Sequence, residues 1–518
     1  MNKYLILISV SGIQEYIMQS IKTADLFKNS QAVTGQMKSY IDFIEAQSNT
    51  KSIIIPQNKG TQIPNYCLFE YYSDKNQFEL ALFFEKKPKN DNVDLETYIS
   101  IYPWTDKEVT YDRAYEAVYE RLELLKADRA YSLMHDAHQE ANITIVTGKK
   151  ICMKCKKRPV VEQETLCSHC EHASNDNHPF PSTTDIAAWN TLRNMSEANF
   201  QEVSASKEKS QERITNELYK KGIITTPYYG IIQLDVDDFG KHMAGAYLEE
   251  GSDLKQHQIM LTKQVQEMNK SIESIVKKRE EEVKKRFDAI SLCNKLRIYI
   301  GGDDALFFCP VQYIEKVLTE IREEQDKLNN LLQKEGYKKL VTLSVAVVMT
   351  HHETDFRSAI KLSRHQLEAT KQKYRYKGKN GLSLTLKQRS GALYTSYLPY
   401  TLAALRTLDA LSARKSGEKA ISLSKIPQLE YQLRLLGNTF EIYTQEVVFK
   451  NIINNEIKRL SQERTSSLSV ISYTNLKTML DFFKEYEYSH LHIDWDGFFS
   501  LFKVIECIHR EEVKSNEE

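Results

Sequence analysis

Two stretches decide the reading of this sequence: Leu234-Asp235-Val236-Asp237-Asp238-Phe239-Gly240 and Ile300-Gly301-Gly302-Asp303-Asp304-Ala305. In each, acids stand at the end of an apolar, β-rich run: Tyr228 to Leu234 leads into the first, and Leu296 to Ile300 into the second. Gly301 and Gly302 can take the positive φ angles of a tight turn, and without side chains they let a phosphate approach the backbone. Gly-Gly-Asp-Asp alone is also an acceptable plain hairpin. Paired with an acid-ended strand, it points to Asp235, Asp303 and Asp304 converging on one place. Carboxylates so gathered repel and raise one another's pKa, and two Mg²⁺ or Mn²⁺ ions about 3.5–4 Å apart resolve the conflict. Two such ions serve phosphoryl transfer. Asp237 and Asp238 are weaker candidates than Asp235: alternation puts Asp237 on the face of Asp235, but it lies further into the loop, where it could equally cap the next helix.

Long charged helices over about 254–290 come after the first stretch, and the strand Ala305 to Phe308 leaves the second. A helix from Val311 to Glu335, a strand from Val341 to Met349 and a helix from Asp355 to Tyr374 complete a βαββαβ plan, that of a ferredoxin-like palm. Upstream, Lys3 to Val10 is a β-rich run ending in Ser11-Gly12, and Ile13 to Ile21 reads as an amphipathic helix. Strand-like pieces at Ser52 to Ile55, Cys67 to Tyr72 and Phe78 to Phe84, with a helix over Arg113 to Lys126, make a first α/β domain. The expected class is therefore α+β. Its parts are a first palm-like domain over 1–148, a four-cysteine zinc-finger element over 149–180, a second palm over 181–392 and a helical domain over 393–518. The alternating charges of Lys277 to Arg286 read as a solvated helix face.

The chain has 518 residues, with 70 Lys+Arg against 70 Asp+Glu, enough length for several cores and no net charge. Neutrality argues against a free-standing nucleic-acid binder and favours a subunit whose nucleic-acid contacts are local or shared with partners. The longest apolar stretches, Tyr4 to Val10 and Leu340 to Met349, fall far short of the roughly 20 residues that cross a bilayer, and the start lacks a signal peptide, so a cytoplasmic protein without membrane contact is expected. Of eight cysteines, Cys152, Cys155, Cys167 and Cys170 form two Cys-x-x-Cys pairs. That spacing predicts a closed, structural Zn²⁺ site, with His169, His172 and His178 near enough to replace a ligand.

At the quoted residues the sequence resembles the large palm-domain subunit (Cas-ten, the Cmr-type second or Csm-type first subunit) of type III CRISPR RNA-guided effector complexes. Ser11-Gly12-Ile13-Gln14-Glu15-Tyr16-Ile17 is similar to the family's opening motif, and Lys22 to Gly35 to the polar segment after it. The cysteine finger falls between two palms. Asp235 to Gly240 and Gly301 to Asp304 match the active second palm, and Ser344-Val345-Ala346 with Leu367-Glu368-Ala369-Thr370-Lys371 resembles its closing strand and helix.

The resemblance implies a nucleotidyltransferase that binds two ATP molecules and joins them 3′ to 5′ into a cyclic oligoadenylate messenger when the complex holds target RNA. Asp235, Asp303 and Asp304 would hold Mg²⁺ or Mn²⁺. Gly301, Gly302, Phe239 and Gly240 would border the nucleotide, and Lys371 would face its triphosphate, the alternative being a solvated helix lysine. Ser11, Gly12 and Gln14 would contribute from the first palm. Some members instead join ATP to S-adenosylmethionine. Partners implied are other subunits of the complex, with guide and target RNA mostly through them. Many members carry an N-terminal HD nuclease domain. Here the first palm begins at residue 3, and His135-Asp136 with His138, like His490-Leu491-His492, reads as structural, so no DNase activity is expected. Two other classes compete: a GTP-using cyclase, which normally dimerises single palms, and a catalytically silent scaffold, against which the three intact acids count.

Overall fold

Tyr4–Val10 is apolar without alternation because its strand is covered on both faces: β1 (Asn2–Ser11) is an inner strand of a four-stranded sheet. It is followed by α1 (Ile13–Met18), α2 (Thr23–Glu45), β2 (Thr50–Ile55), β3 (Tyr66–Ser73), α3 (Gln77–Glu85) and β4 (Glu96–Pro103). All pairings are antiparallel and the order is β2-β3-β1-β4, the ferredoxin-like arrangement. In this computed structural model the described residues are 1–18, 23–57, 63–85, 95–104, 109–142, 180–188, 227–284, 296–337, 339–411, 420–422, 425–439, 470–487 and 490–509, with isolated positions elsewhere.

One expected strand is a helix. Phe78 to Phe84 lies in α3, where Asn76 and Glu79 cap the start: Glu79 N–H donates to Asn76 Oδ1 at 2.9 Å and Asn76 N–H to Glu79 Oε2 at 3.0 Å. A short apolar run fits either period, and this reciprocal cap settles it as a helix. The strand that completes the sheet is β4, whose Glu96-Thr-Tyr-Ile-Ser-Ile-Tyr pattern is not among the expected strands.

After α4 (Tyr111–Asn142), which packs on β4 and β1, and the short α5 (Thr183–Ala187), the same plan recurs. It comprises β5 (Tyr228–Val236), α6 (Phe239–Met243), α7 (Leu254–Lys284), β6 (Arg297–Gly301), β7 (Asp304–Pro310), α8 (Ile314–Lys334) and β8 (Leu343–His351). These strands lie in the order β8-β5-β7-β6 within a six-stranded sheet. Helix α9 (Phe356–Lys373) then crosses over to β9 (Gly381–Lys387), parallel to β8, and β10 (Leu393–Pro399) closes the edge antiparallel to β9. The stripe Phe356, Ala359, Ile360, Ser363, Leu367 and Thr370, at helical spacing, is buried and packs α9 on β8 and β5.

The expected start of the helical domain at residue 393 is corrected, since 393–399 is the sixth strand of the palm. The C-terminal region beyond it mixes helices with short strands. Helices α10 (Leu402–Ala410), α11 (Ile426–Thr439), α12 (Tyr473–Asp481) and α13 (Trp495–His509) are joined by two small antiparallel ladders, β11 (Ala420–Ser422) with β12 (Val470–Ser472) and β13 (Lys484–Glu487) with β14 (His490–Ile493). His490 and His492 lie in β14. Cys152, Cys155, Cys167 and Cys170 lie outside the described residues. Among the described residues, no helix is long and apolar enough to cross a membrane.

The two palms are pinned together by a buried charge. Glu70 of β3 has no exposed side-chain surface; Lys255 Nζ of α7 donates to its Oε1 at 2.6 Å, Lys3 Nζ lies 3.9 Å away, and Ser52 Oγ donates to Oε2 at 3.1 Å. Tyr111 of α4 also hydrogen-bonds Gln258 of α7. A carboxylate buried this deeply needs both lysines.

Candidate active site

Strand β5 ends in Asp235, which lies directly opposite Asp304 of β7 on one side and Ser344 of β8 on the other. Partners across strands share a sheet face, and Asp235 shares with Gln233 the face covered by α9, from which Ser363 Oγ donates to Gln233 Oε1 at 2.9 Å. Two helical turns after Ser363 on α9, Lys371 reaches Asp235 Oδ2 at 3.0 Å and Glu368 Oε1 at 3.1 Å. The hairpin between β6 and β7 is held by its backbone, with Val236 N–H donating to the Asp303 carbonyl at 2.7 Å, and by Asn269 of α7, whose Nδ2 donates to the Gly302 carbonyl at 2.9 Å. Only Gly302 takes the positive φ expected of both glycines, at 63°; Gly301 is the last residue of β6. A Cβ at Gly302 would lie in ordinary contact with Pro64 of the first palm, 3.5 Å from its Cβ, so the positive φ, not space, is what calls for glycine here.

Electrostatics separate the acids. Burial pushes Asp304 up to about 8, reinforced by Asp303 and Asp235; Tyr299 Oη donates to its Oδ2 at 3.2 Å and pulls the other way. Burial likewise lifts Asp235 to about 6 against the opposing charge of Lys371. Asp303 is raised by burial. Burial would lower Lys371, but Asp235 outweighs it and the ammonium is held above its ordinary range. Among the described residues, no group of three acids, histidines or cysteines forms a ready-made cation site. The ammonium of Lys371 neutralises Asp235, and Tyr299 holds Asp304. The acids nonetheless share one electrostatic field, and their hard oxygen donors suit Mg²⁺ or Mn²⁺.

Asp237 and Asp238 are not part of that group. Buried Asp237 accepts from Ser344 Oγ at 2.7 Å, Thr342 Oγ1 at 2.9 Å and the Asn380 N–H at 2.9 Å, tying the end of β5 to β8 and to the turn before β9. Asp238 precedes α6 with φ 54° and makes no side-chain cap; it pairs with Lys379 at 3.0 Å and Lys241 at 3.4 Å, which outweigh burial and hold its carboxyl below the usual range. Lys379 and Asn380 are also left-handed, so the lock joins two strained turns.

A cavity of about 330 Å³ opens beside the hairpin, walled by Ile13, Ile17 and Phe27 of the first palm and by Tyr299, Asp303 and Asp304 of the second. Ser11 ends β1, and Gly12, at φ 73°, opens α1, where its carbonyl accepts from Tyr16 N–H. Neither lines the cavity; their neighbour Ile13 does. Gln14 lies in α1, its side chain outside the described set. Phe239 is buried in the core, and Gly240 opens instead on a separate, acid-rimmed crevice between α4 and the α6–α7 connection, so neither borders this cavity. Tyr299, Arg364 and Thr342 are not singled out by the sequence, and Ser344 is named there only as part of the closing strand. Arg364 lies seven positions before Lys371 on the same helix face, the one signal that could have found it.

Sheet order, acid-ended central strand and glycine hairpin together define a palm-domain protein of the nucleotide polymerase and cyclase architecture. Residues 228–383 match the model for the Cas10/Cmr2 second palm domain. Over 301 residues, 57% of this chain and 34% of the relative, the chain is 25% identical to the CRISPR system Cmr subunit Cmr2 of Pyrococcus furiosus, so the match spans about a third of that relative's length. The type III-B Cmr-beta apo structure contains a chain similar in fold at TM-score 0.58, with 13% identity over 98% of this chain and 82% of the other. The apo Csm1-Csm4 cassette contains another at TM-score 0.51, with 12% identity over 98% and 70%. Residues 228–383 are thus similar to the second palm domain of Cas10/Cmr2 proteins.

Proposed function

We propose that this chain is the nucleotidyltransferase subunit of a type III CRISPR effector complex, joining ATP into a cyclic oligoadenylate signal when target RNA is bound. The observation that carries the reading is Asp235 facing Asp304 across β5 and β7, beside Asp303 and Lys371, inside a matched Cas10/Cmr2 second palm. Asp235, Asp303 and Asp304 would hold Mg²⁺ or Mn²⁺, which when bound would supply acidification of an attacking 3′-hydroxyl and charge neutralisation of the leaving pyrophosphate. The residues do the rest. Asp235 and Asp304 would act in their ionised forms, Asp304 having released its proton to solvent, and Lys371 would face a phosphate oxygen as a point charge. Gly302 leaves the hairpin backbone open to the substrate, and the first palm walls the cavity around Ile13. Neutral overall charge supports contact with guide and target RNA mainly through partner subunits, and a structural Zn²⁺ on Cys152, Cys155, Cys167 and Cys170 belongs to the same reading.

The test is mass spectrometry of products formed from ATP by the complex containing this chain, with Mg²⁺ or Mn²⁺, with and without target RNA. Adenylate products that require both metal and RNA are expected. Absence of any nucleotide product from ATP, with or without S-adenosylmethionine, overturns the reading.

A further inference from the structure

Arg364 lies within electrostatic reach of Asp304, whose carboxyl it pulls downward against burial. It lies on α9 and lines the 330 Å³ cavity with Asp303 and Asp304. Its Nε and Nη2 atoms are buried and make no hydrogen bond. These two atoms form one edge of the planar guanidinium, the edge that grips a carboxylate or phosphate through two parallel N–H···O bonds. Nearby cations are already engaged: Arg297 pairs with Glu273, and Lys371 with Asp235 and Glu368. Leaving a charged donor edge buried and unmatched is costly, and the cost is recovered when an acceptor arrives. The rest of the cavity is graded to match, with apolar Ile13, Ile17, Phe27 and Met37 on the first-palm side. A ligand with an apolar or aromatic body and an anionic head fits both ends.

We infer that Arg364 is a specificity-determining residue of this site, taking through its Nε–Nη2 edge a two-oxygen anionic group, phosphate or carboxylate, of the substrate whose reacting end lies at Asp303 and Asp304. The inference rests on the nucleotidyl-transfer reading of the same site. An adenine edge does not satisfy two adjacent donors, because its N6 amino group is itself a donor beside N7, whereas the O6 and N7 acceptors of guanine would.

The experiment compares the intact complex carrying the wild-type chain, Arg364→Met or Arg364→Lys. ATP is varied alone, S-adenosylmethionine is varied at saturating ATP, and GTP is tested in place of ATP. Arg364→Met is expected to raise KM by about 10- to 100-fold with kcat within a few-fold, the loss of a charged, paired hydrogen bond. Arg364→Lys recovers part of that loss, since it keeps the charge without the fork. A rise in the KM for ATP assigns a phosphate; a rise confined to S-adenosylmethionine assigns its carboxylate. Unchanged KM for both, a fall in kcat alone, or a GTP-derived product selectively lost in Arg364→Met overturns the inference. So does a melting temperature several degrees lower in Arg364→Met, which marks a structural role. Should the wild-type complex turn over nothing, the nucleotidyl-transfer reading fails by itself. Calorimetric titration of ATP and of S-adenosylmethionine into wild-type and Arg364→Met complexes then still decides the inference, equal affinities overturning it.

Discussion

In the first palm the last residue pair between β1 and β3 is Ser9 opposite Tyr66; in the second, the last pair between β5 and β7 is Asp235 opposite Asp304. The equivalence extends to the backbone. Val10 N–H donates to the Asn65 carbonyl at 2.9 Å, as Val236 N–H donates to that of Asp303 at 2.7 Å. Asn65 and Tyr66 thus stand where the second palm has Asp303 and Asp304, and Pro64, the counterpart of Gly302, is the residue against which Gly302 rests. Tyr66 is turned into a buried phenol cluster with Tyr119 and Tyr115, its pKa pushed well above the usual range by burial. One chain has used the same four-strand plan twice, once with a carboxylate pair at the strand ends and once with a hydroxyl and a phenol. Topology places the end of the central strand beside the hairpin, and the residues there decide whether a cation belongs.

Asp235→Ala removes the acid at the end of the central strand and should erase most of the difference between the palms. Adenylate formation is expected to fall by about 10³-fold or more, several kcal/mol of transition-state stabilisation, in a radiolabelled ATP assay. Lys371→Met is expected to cost about 10- to 100-fold in kcat/KM for ATP, the value of a charged phosphate contact, in the same assay. Asp237→Ala strips the acceptor from two hydroxyls and a backbone N–H and should cost about 2–4 kcal/mol of stability, read by chemical denaturation.

A fourth prediction concerns pH. Because Asp235 and Asp304 titrate higher folded than unfolded, the metal-free chain binds more protons when folded, so their contribution is lost as pH rises through about 6 and then about 8. Mg²⁺ or Mn²⁺ needs the ionised form. The cation-induced rise in melting temperature should therefore grow between pH 6 and pH 8.5, and a rise that is flat or shrinks with pH contradicts the assignment. The smallest effect is expected at the silent end: Ser9→Ala should leave product formation within about twofold of wild type.

Much of the second palm was legible because its two site strands, β5 and β6, end in residues that break their own pattern: acids after Leu234, glycines after Ile300, both at the edge of apolar runs. The first palm was harder. Its β4 is half-exposed and its α3 is apolar on both faces, so neither period stands out, and the reciprocal Asn76–Glu79 cap that makes α3 a helix is a side-chain event. At the site, the acids could be named from the sequence, but their present partners could not. Lys371 is expected to face a triphosphate and is found on Asp235, because a half-buried ammonium within reach of a carboxylate pairs with it. Phe239 and Gly240 follow the acids in sequence, yet α6 carries them away from the cavity. The sequence places β10 inside the helical domain because a half-exposed edge strand, here the antiparallel partner of β9, carries only a weak signal of its own.

The central claim is that the carboxylates of the second palm, and not the topologically equivalent residues of the first, carry nucleotidyl transfer. It is tested most directly by mass spectrometry of the products from ATP and Mg²⁺ or Mn²⁺ in target-RNA-bound complexes carrying either the wild-type chain or the Asp303→Ala, Asp304→Ala double variant. Adenylate products are predicted from the wild type and none from the double variant. The same products at comparable yield from both would contradict the claim.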